Sequence, residues 1–411
     1  MKINIERLMQ EIEYYAQYGQ KPGEGITRPS FSEADYKVRE VFINQLEKMG
    51  LHVQVDPIAN IWAKIPSENE NTSTIVIGSH LDTVPNGGKF DGALGVLVAK
   101  EIVQTLLENN FSLNHHLQIV SFTAEEPNDF NLSTMGSRAL TGKLTYSQLM
   151  NASDSNGFQL SDAVKKAGGD LEKISEIKRE DLAAYIELHI EQGKRLEKQD
   201  LSVGVVNQIV GIYRDQIQVF GEANHSGTTM MSDRMDTLTA VSEMVLAVEK
   251  VTRSFNTDAV ATVGKLNVHP NAANIIPGRV DFILEIRSAS REERKAIKES
   301  IYKEFERIQE ARRVKILSEN ILDQQECTFD SDIVQYLQHA ADSLEIAYTT
   351  FASMAGHDAT HLADITKSAM IFVKSIDGKS HCPEELSLAE DIEKAANTML
   401  HAVLLADKEI D

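Results

Sequence analysis

The chain has 411 residues, 42% hydrophobic and 25% charged, the composition of an ordinary soluble globular protein at a length where a single core usually stops growing, so two domains are expected. Sixty-two acidic residues against 41 basic ones leave a formal charge of −21, which repels phosphate backbones and anionic membrane surfaces and argues against nucleic acid or membrane as partners. The first twenty residues mix charges into an amphipathic helix without an apolar export signal, no apolar run approaches the ~20 residues of a membrane span, and Cys327 and Cys382 are the only cysteines, so a cytoplasmic location with reduced thiols is expected.

From residue 1 to about 208, buried runs alternate with helical periodicity, as in a parallel sheet wrapped by helices. Runs at 74–77, 117–122 and 183–188, and later at 369–373, read as buried strands. After the first of them Leu94, Val98, Ile102 and Leu106 recur at four-residue spacing and mark one face of a helix, which would lock the loop carrying Asp91 to the sheet. A second unit occupies 209–322. It opens with an alternating strand near 216–220, followed by a helix with Leu238, Val241, Val245 and Val248 on one stripe. A strand at about 259–267 comes next. Val280, Phe282, Leu284 and Ile286 then alternate with Asp281, Ile283, Glu285 and Arg287 in a half-buried strand. A helix with Ile297, Ile301, Phe305 and Ile308 on its apolar face and a strand at 313–318 complete the order β-α-β-β-α-β. That order predicts a small antiparallel sheet with two helices on one side, inserted as a lid. The α/β pattern resumes after about 323 and supplies His357, His361 and His381. The expected fold is therefore α/β: a discontinuous catalytic domain of 1–208 and 323–411 built on a mostly parallel sheet, interrupted by the lid.

Five residues of metal-ligating type stand just past the apolar runs: His80, Asp91, Glu126, His189 and His381. In open α/β sheets, ligands and chemistry collect outside the carboxyl ends of the strands. Imidazole and carboxylate together suit zinc, manganese or cobalt better than calcium or magnesium. Five donors exceed one tetrahedral site, so two divalent ions sharing a carboxylate explain the count, with Asp91 as the bridge. Asp82, two residues after His80 on the same strand face, is placed to accept from the second ring nitrogen of His80. Glu125 and Glu126 are adjacent and must diverge; one can bind metal while the other acts as general base. Taken singly, His-Leu-Asp or Glu-Glu is ordinary loop decoration, and the conjunction carries the argument. His115 and His116 read as a loop-to-strand junction. Asp358 and His361, following His357, offer a separate helical metal pair, but His361 reads more simply as a packed or capping histidine.

The segments GSHLDTVPNGGKFDGALGV, TAEEPNDF with MGSRALTG, ELHIEQG, NHSGTTMMSDRMD, NAANIIPG, EIRS, SMAGHDA and SHCPEE, in this order, resemble the two-metal aminoacylase and carboxypeptidase-like hydrolases, specifically their amidase/hydantoinase/carbamoylase branch. That branch includes N-carbamoyl-L-amino-acid hydrolases and allantoate amidohydrolases. The resemblance implies that His80, Asp91 and His189 hold one metal and the bridge, that Glu126 and His381 complete a second site, and that Glu125 is the acid/base. It implies zinc or manganese, with cobalt or nickel as substitutes, and a homodimer through the lids in which His225 stabilises the oxyanion. Gln192, Asn274 and Arg287 match substrate-holding positions, with Arg287 on the α-carboxylate, and Ser353, Gly356 and His357 lie in the matching substrate loop.

Elementary chemistry agrees with several of these roles. A guanidinium fork on the polar face of a lid strand is a natural carboxylate clamp, although an ion pair of Arg287 with Glu285 or Asp281 is the plain alternative. His225 lies in a small-residue turn, where it could simply bond backbone, and Asn274 could simply form an Asx-turn. Pro127, Asn128, Asp129 and Phe130 stand where the branch commonly has Gly-Ser-Arg-Phe. Met230, Met354 and Cys382 likewise replace a frequent proline, glycine and asparagine. These departures bear on the pocket wall and leave every metal donor in place. The expected activity is hydrolysis of a linear, non-peptide C–N bond in a small carboxylate, foremost an N-carbamoyl-L-amino acid. Allantoate hydrolysis, aminopeptidase or dipeptidase action and a non-catalytic binding role follow as alternatives.

Overall fold

The apolar runs become neighbouring strands. In the computed structural model, which describes residues 1–410, His116–Phe122, Thr74–His80, Leu182–Ile190 and Lys367–Val373 lie side by side in that order and all run parallel. Every residue of the first two is buried, as expected for β-branched and aliphatic runs covered on both faces. The flanks of this nine-stranded sheet are antiparallel: His52–Val55 and Ile61–Ile65 on one side, Val203–Ile209 on the other, with Tyr348–Ser353 also pairing to the latter.

The helix Ala93–Glu108 packs on the strands Thr74–His80 and Leu182–Ile190 and also meets the helices Ile5–Ala16 and Ala389–Glu409. It is not one-faced: all residues from Ala93 to Val103 are buried, so Leu94, Val98 and Ile102 mark only part of an apolar surface that continues around the helix. Gly95 permits its close seat on the sheet, since a Cβ there would stand 2.2 Å from the Leu188 carbonyl oxygen.

The chain divides into two compact units, Met1–Asn207 together with the chain from Thr328 onward, and Gln208–Cys327. The return lies a few residues beyond 323 because the last strand of the second unit, Lys315–Gln324, is longer than its apolar pattern suggests. That unit is a four-stranded antiparallel sheet in the order Lys315–Gln324, Gly211–Phe220, Arg279–Ser288, Val260–His269. Helices Thr237–Ser254 and Arg291–Arg312 share one core with it, in which Ile217, Val219, Phe282 and Leu284 meet Met244, Ile301 and Phe305. Each such side chain contributes about 1.5–3 kcal/mol on burial. The stripe of the first helix runs through Ala240, Val241, Met244 and Val248, whereas Leu238 is exposed.

Candidate metal centre

His80 is the last residue of its strand and His189 the penultimate residue of the neighbouring one, three residues beyond the last paired positions Ile77 and Ile186, and their rings lie 5.9 Å apart. Each ring turns Nδ1 toward a backbone carbonyl, His80 to Asp82 O at 3.0 Å and His189 to Ile190 O at 3.1 Å. A proton on Nδ1 donated to each carbonyl leaves Nε2 as a lone pair, the form that binds a cation. Both Nε2 atoms face Asp91 Oδ1, at 3.7 and 3.4 Å. The other oxygen, Asp91 Oδ2, lies 3.3 Å from His381 Nε2, which is itself 3.3 Å from Glu126 Oε1. Two donor triplets result, His80–Asp91–His189 and Asp91–Glu126–His381, and within each the donor atoms lie within 4.8 Å of one another. Asp91 belongs to both. Imidazole nitrogens and carboxylate oxygens at this spacing fit two transition-metal ions bridged by one carboxylate.

His381 arrives differently from the other donors. Its apolar run ends at Val373, and the chain then makes a turn at Ile376–Gly378 before reaching it. His381 and Gln192 both adopt left-handed backbone, φ 57°, a strain of about 1–3 kcal/mol each that clusters at functional sites. The Gln192 amide is oriented by its Nε2 donating to Asp91 Oδ2 at 2.7 Å, which leaves Oε1 buried without a partner.

Asp82 differs from the sequence expectation in one respect. The strand ends at His80, so the His80 ring meets the Asp82 carbonyl, and the Asp82 carboxylate stands farther off at 3.6 Å. That carboxylate instead accepts Ser30 Oγ at 2.8 Å and the backbone N–H groups of Glu126 and Glu125 at 3.1 and 3.4 Å, fixing where the two acids emerge. They diverge as anticipated: Glu126 takes part in a donor triplet, while Glu125 Oε2 lies 3.7 Å from His80 Nε2 and in neither triplet. Burial, with Glu126 and Asp358 adding to it and His80 opposing, pushes the Glu125 carboxyl well above the usual range. Burial and Asp91 raise Glu126 to about 7. Burial opposes ionisation of Asp91 too, yet His189, His381 and His80 hold it well below the ordinary carboxylate value. A buried cluster whose acids repel one another in this way is an environment that cations relieve.

Several residues that hold this geometry escape a pattern-based reading. The Glu385 carboxylate accepts the N–H groups of Phe90 and Asp91 through one oxygen, at 2.9 and 3.0 Å. Its other oxygen accepts Ser380 Oγ at 3.1 Å, a hydroxyl that also lies 2.8 Å from Asp91 Oδ2. Gly88 is needed beneath it, because a Cβ there would lie 2.1 Å from Glu385 Oε1. Glu385 is visible in SHCPEE only as one of two acids.

The other expected site residues divide between the two units. Ser353 and His357 are buried near His189: Ser353 Oγ lies 3.2 Å from His357 Nε2, and the rings of His357 and His189 are 4.5 Å apart. Gly356 is exposed, and a Cβ on it would meet nothing within 4 Å. In the second unit, the two-residue strand Asn224–His225 pairs with Ile275–Ile276, bringing His225 beside Asn274, whose carbonyl accepts Ser226 N–H at 3.1 Å. Both side chains are exposed. His225 Nδ1 accepts from Gly227 and Thr228 N–H at 3.0 and 3.3 Å, so the proton of the neutral ring sits on Nε2, a donor directed away from its own turn. Arg287 pairs through Nε with Glu285 Oε1 at 2.7 Å, and Glu285 also holds Arg214.

Of the remaining histidines, His115 bonds the Asp407 carbonyl, and His116 accepts Ser67 N–H at the start of its strand. His361 bonds Thr134 and Lys143. All three are packed into the framework. Of the departures, Asn128 Oδ1 accepts Phe130 N–H and Leu132 N–H, a tight turn that buries Phe130 and exposes Asp129. Met230 is exposed, and Cys382 is half-buried.

The family model described as Peptidase family M20/M25/M40 matches residues 76–405. The chain is 35% identical over 403 residues to the N-carbamoyl-L-amino acid amidohydrolase of Geobacillus stearothermophilus, covering 98% of each protein. Identity to the allantoate amidohydrolase of Escherichia coli (strain K12) is 29% over 395 residues, covering 96% of each. An amidase of the hydantoinase/carbamoylase family from Burkholderia multivorans has the same fold, with a TM-score of 0.91 at 30% identity over 100% of this chain and 99% of that one. Among the described residues no helix is long and apolar enough to cross a membrane. With donors, fold and sequence in agreement, the chain belongs to peptidase family M20/M25/M40, a family of metal-dependent hydrolases, within its hydantoinase/carbamoylase amidohydrolases.

Proposed function

We propose that the protein hydrolyses the linear C–N bond of an N-carbamoyl-L-amino acid, yielding the amino acid, ammonia and carbon dioxide. In this reading His80, Asp91 and His189 hold one divalent ion and Asp91, Glu126 and His381 a second, zinc or manganese by donor type. Ions bound there would supply a water that ionises near neutral pH and an electrophile for the carbamoyl oxygen. Glu125 accepts the proton of the attacking water and returns it to the leaving nitrogen, a role suited to a largely buried carboxylate beside the donors but not among them. The buried Oε1 of Gln192 accepts a ureido N–H, the donor it otherwise lacks. His225 Nε2–H serves the developing oxyanion, Asn274 and Arg287 the carboxylate end of the substrate, and Ser353 and His357 the wall beside it. The active form in this reading is a homodimer through residues 209–322.

The observation that carries the reading is the sharing of Asp91 between two donor triplets while Glu125 stands outside both. The Glu125→Gln variant is expected to retain the metal content per chain of the wild type, measured by plasma mass spectrometry. Its turnover of N-carbamoyl-L-amino acids should fall at least about a hundredfold. Turnover within twofold of wild type would remove Glu125 from the reaction. Ammonia release from allantoate, assayed beside carbamoyl substrates and unblocked dipeptides, separates the neighbouring activities. The exposed Asp129 gives little support to recognition of a free α-amine.

A further inference from the structure

A groove of about 300 Å³ runs between residues 191–195 and 351–355, with Phe372 also on its wall. It adjoins the candidate centre through two shared residues. Gln192 lines it and donates to Asp91 Oδ2 at 2.7 Å; Ser353 lines it and meets His357 at 3.2 Å. The volume is at the low end of the range of about 300–1,000 Å³ for small-molecule sites, the scale of one amino-acid portion.

The charged groups along the groove have partners within the protein. The Glu191 carboxylate accepts the backbone N–H groups of Arg195 and Leu196 at 2.6 and 3.0 Å. Lys194 Nζ lies 3.6 Å from Asp377, and Arg195 donates to the Ala352 carbonyl at 3.1 Å with its guanidinium over the Phe351 ring. Away from Gln192 and Ser353, the uncharged wall is formed chiefly by Phe351, Phe372, Ala352 and Met354, with the two rings 6.0 Å apart. Gly204 allows Phe351 its place, since a Cβ there would come within 2.7 Å of the ring.

We propose that this groove receives the side chain on the α-carbon of the substrate, that Met354 and Phe351 determine specificity, and that the preferred substrates are N-carbamoyl amino acids with apolar side chains rather than allantoate. The inference rests on the ureido-hydrolase reading above. A second ureido arm would lose water from its N–H and C=O groups against phenyl and thioether surface without new partners, a cost that an apolar side chain avoids.

The test compares kcat/KM for N-carbamoyl-L-methionine, N-carbamoyl-L-leucine, N-carbamoyl-L-aspartate and allantoate. Wild-type enzyme is expected to favour the first two at least about tenfold. Met354→Gly should lower the methionine-to-aspartate ratio about tenfold, and Met354→Leu, of similar volume, should keep it. If Met354→Gly melts below the assay temperature, Met354→Gln, which keeps the volume and adds an amide, makes the same comparison. Equal kcat/KM on all four substrates, or a ratio that removal of the Met354 side chain leaves within twofold, overturns the subsite. Wild-type enzyme that cleaves none of the four while cleaving another amide overturns the ureido-hydrolase reading, and this inference with it.

Discussion

Gly92 sits between Asp91 and the helix Ala93–Glu108 with φ 64°, and a Cβ built on it would lie 2.2–2.4 Å from three atoms of the His80 ring. Its N–H also lies 3.2 Å from His189 Nε2. No side chain fits there while His80 keeps its place, and an L-residue would also resist that backbone conformation. Gly92→Ala is therefore expected to remain folded, to bind fewer metal ions per chain than wild type, and to lose activity by at least about a hundredfold, as the first coordination shell shifts by more than about 0.5 Å. Isothermal titration with zinc or manganese checks this; wild-type affinity and stoichiometry in the variant would show that His80 is no donor. The glycine is plain in KFDGALG, but its reason is not. A residue pattern records that Asp91 precedes a helix and cannot record that an imidazole from another strand occupies the space over the next α-carbon. Glu385 was hidden for the same reason: it works on the backbone of residues 90 and 91, across nearly three hundred positions.

The short helix Ala359–Leu362 is anchored through His361. Lys143 Nζ can only donate, so His361 Nδ1 at 3.0 Å accepts, and Nε2–H donates to Thr134 Oγ1 at 2.9 Å, which donates onward to Ser133 O. Protonating Nδ1 would set two donors against each other. Burial, then Lys143, lowers the His361 pKa to about 3. An imidazole whose folded pKa lies below its unfolded value of about 6.5 contributes stability that is present above pH 6.5 and is lost as pH falls toward 3. Between pH 7 and pH 5 this one group should lower the unfolding free energy by about 1–2 kcal/mol. Denaturant melts of His361→Gln at both pH values should show a drop smaller by that amount, and parallel losses in the two proteins would count against the assignment. How far elements were legible follows from periodicity. The central strands could be read because strands covered on both faces are unbroken apolar runs, and the antiparallel order of the second unit because half-buried strands alternate with a period of two. The helix Ala93–Glu108 was read as one-faced because a four-residue stripe is visible in any apolar helix, whether one side or every side is covered. His381 was legible as a candidate donor from its motif, but its route was not, since the turn at Ile376–Gly378 carries no apolar signal.

At the scale of the whole molecule, the two units divide the proposed chemistry. His80, Asp91, Glu126, His189, His381 and Glu125 all belong to the unit formed by Met1–Asn207 and the chain from Thr328 onward, whereas His225, Asn274 and Arg287 belong to Gln208–Cys327. The second unit has its own core of aliphatic and aromatic side chains. The first keeps its ends together across the insertion, for Phe329 N–H donates to the Asn207 carbonyl at 3.0 Å. A short turn can therefore replace residues 208–327 at little cost in loop closure. The shortened protein is expected to unfold in one cooperative transition by circular dichroism and to bind the same number of divalent ions per chain as the full protein. Without His225, Asn274 and Arg287, its release of ammonia from N-carbamoyl amino acids should fall at least about a thousandfold, since substrate clamps and an oxyanion donor are lost together. The two readouts are independent. Fewer ions bound by a folded shortened chain would mean that the donor set is incomplete without the second unit. Full metal content with undiminished turnover would instead remove His225, Asn274 and Arg287 from the reaction, leaving the first unit as the whole of the catalyst.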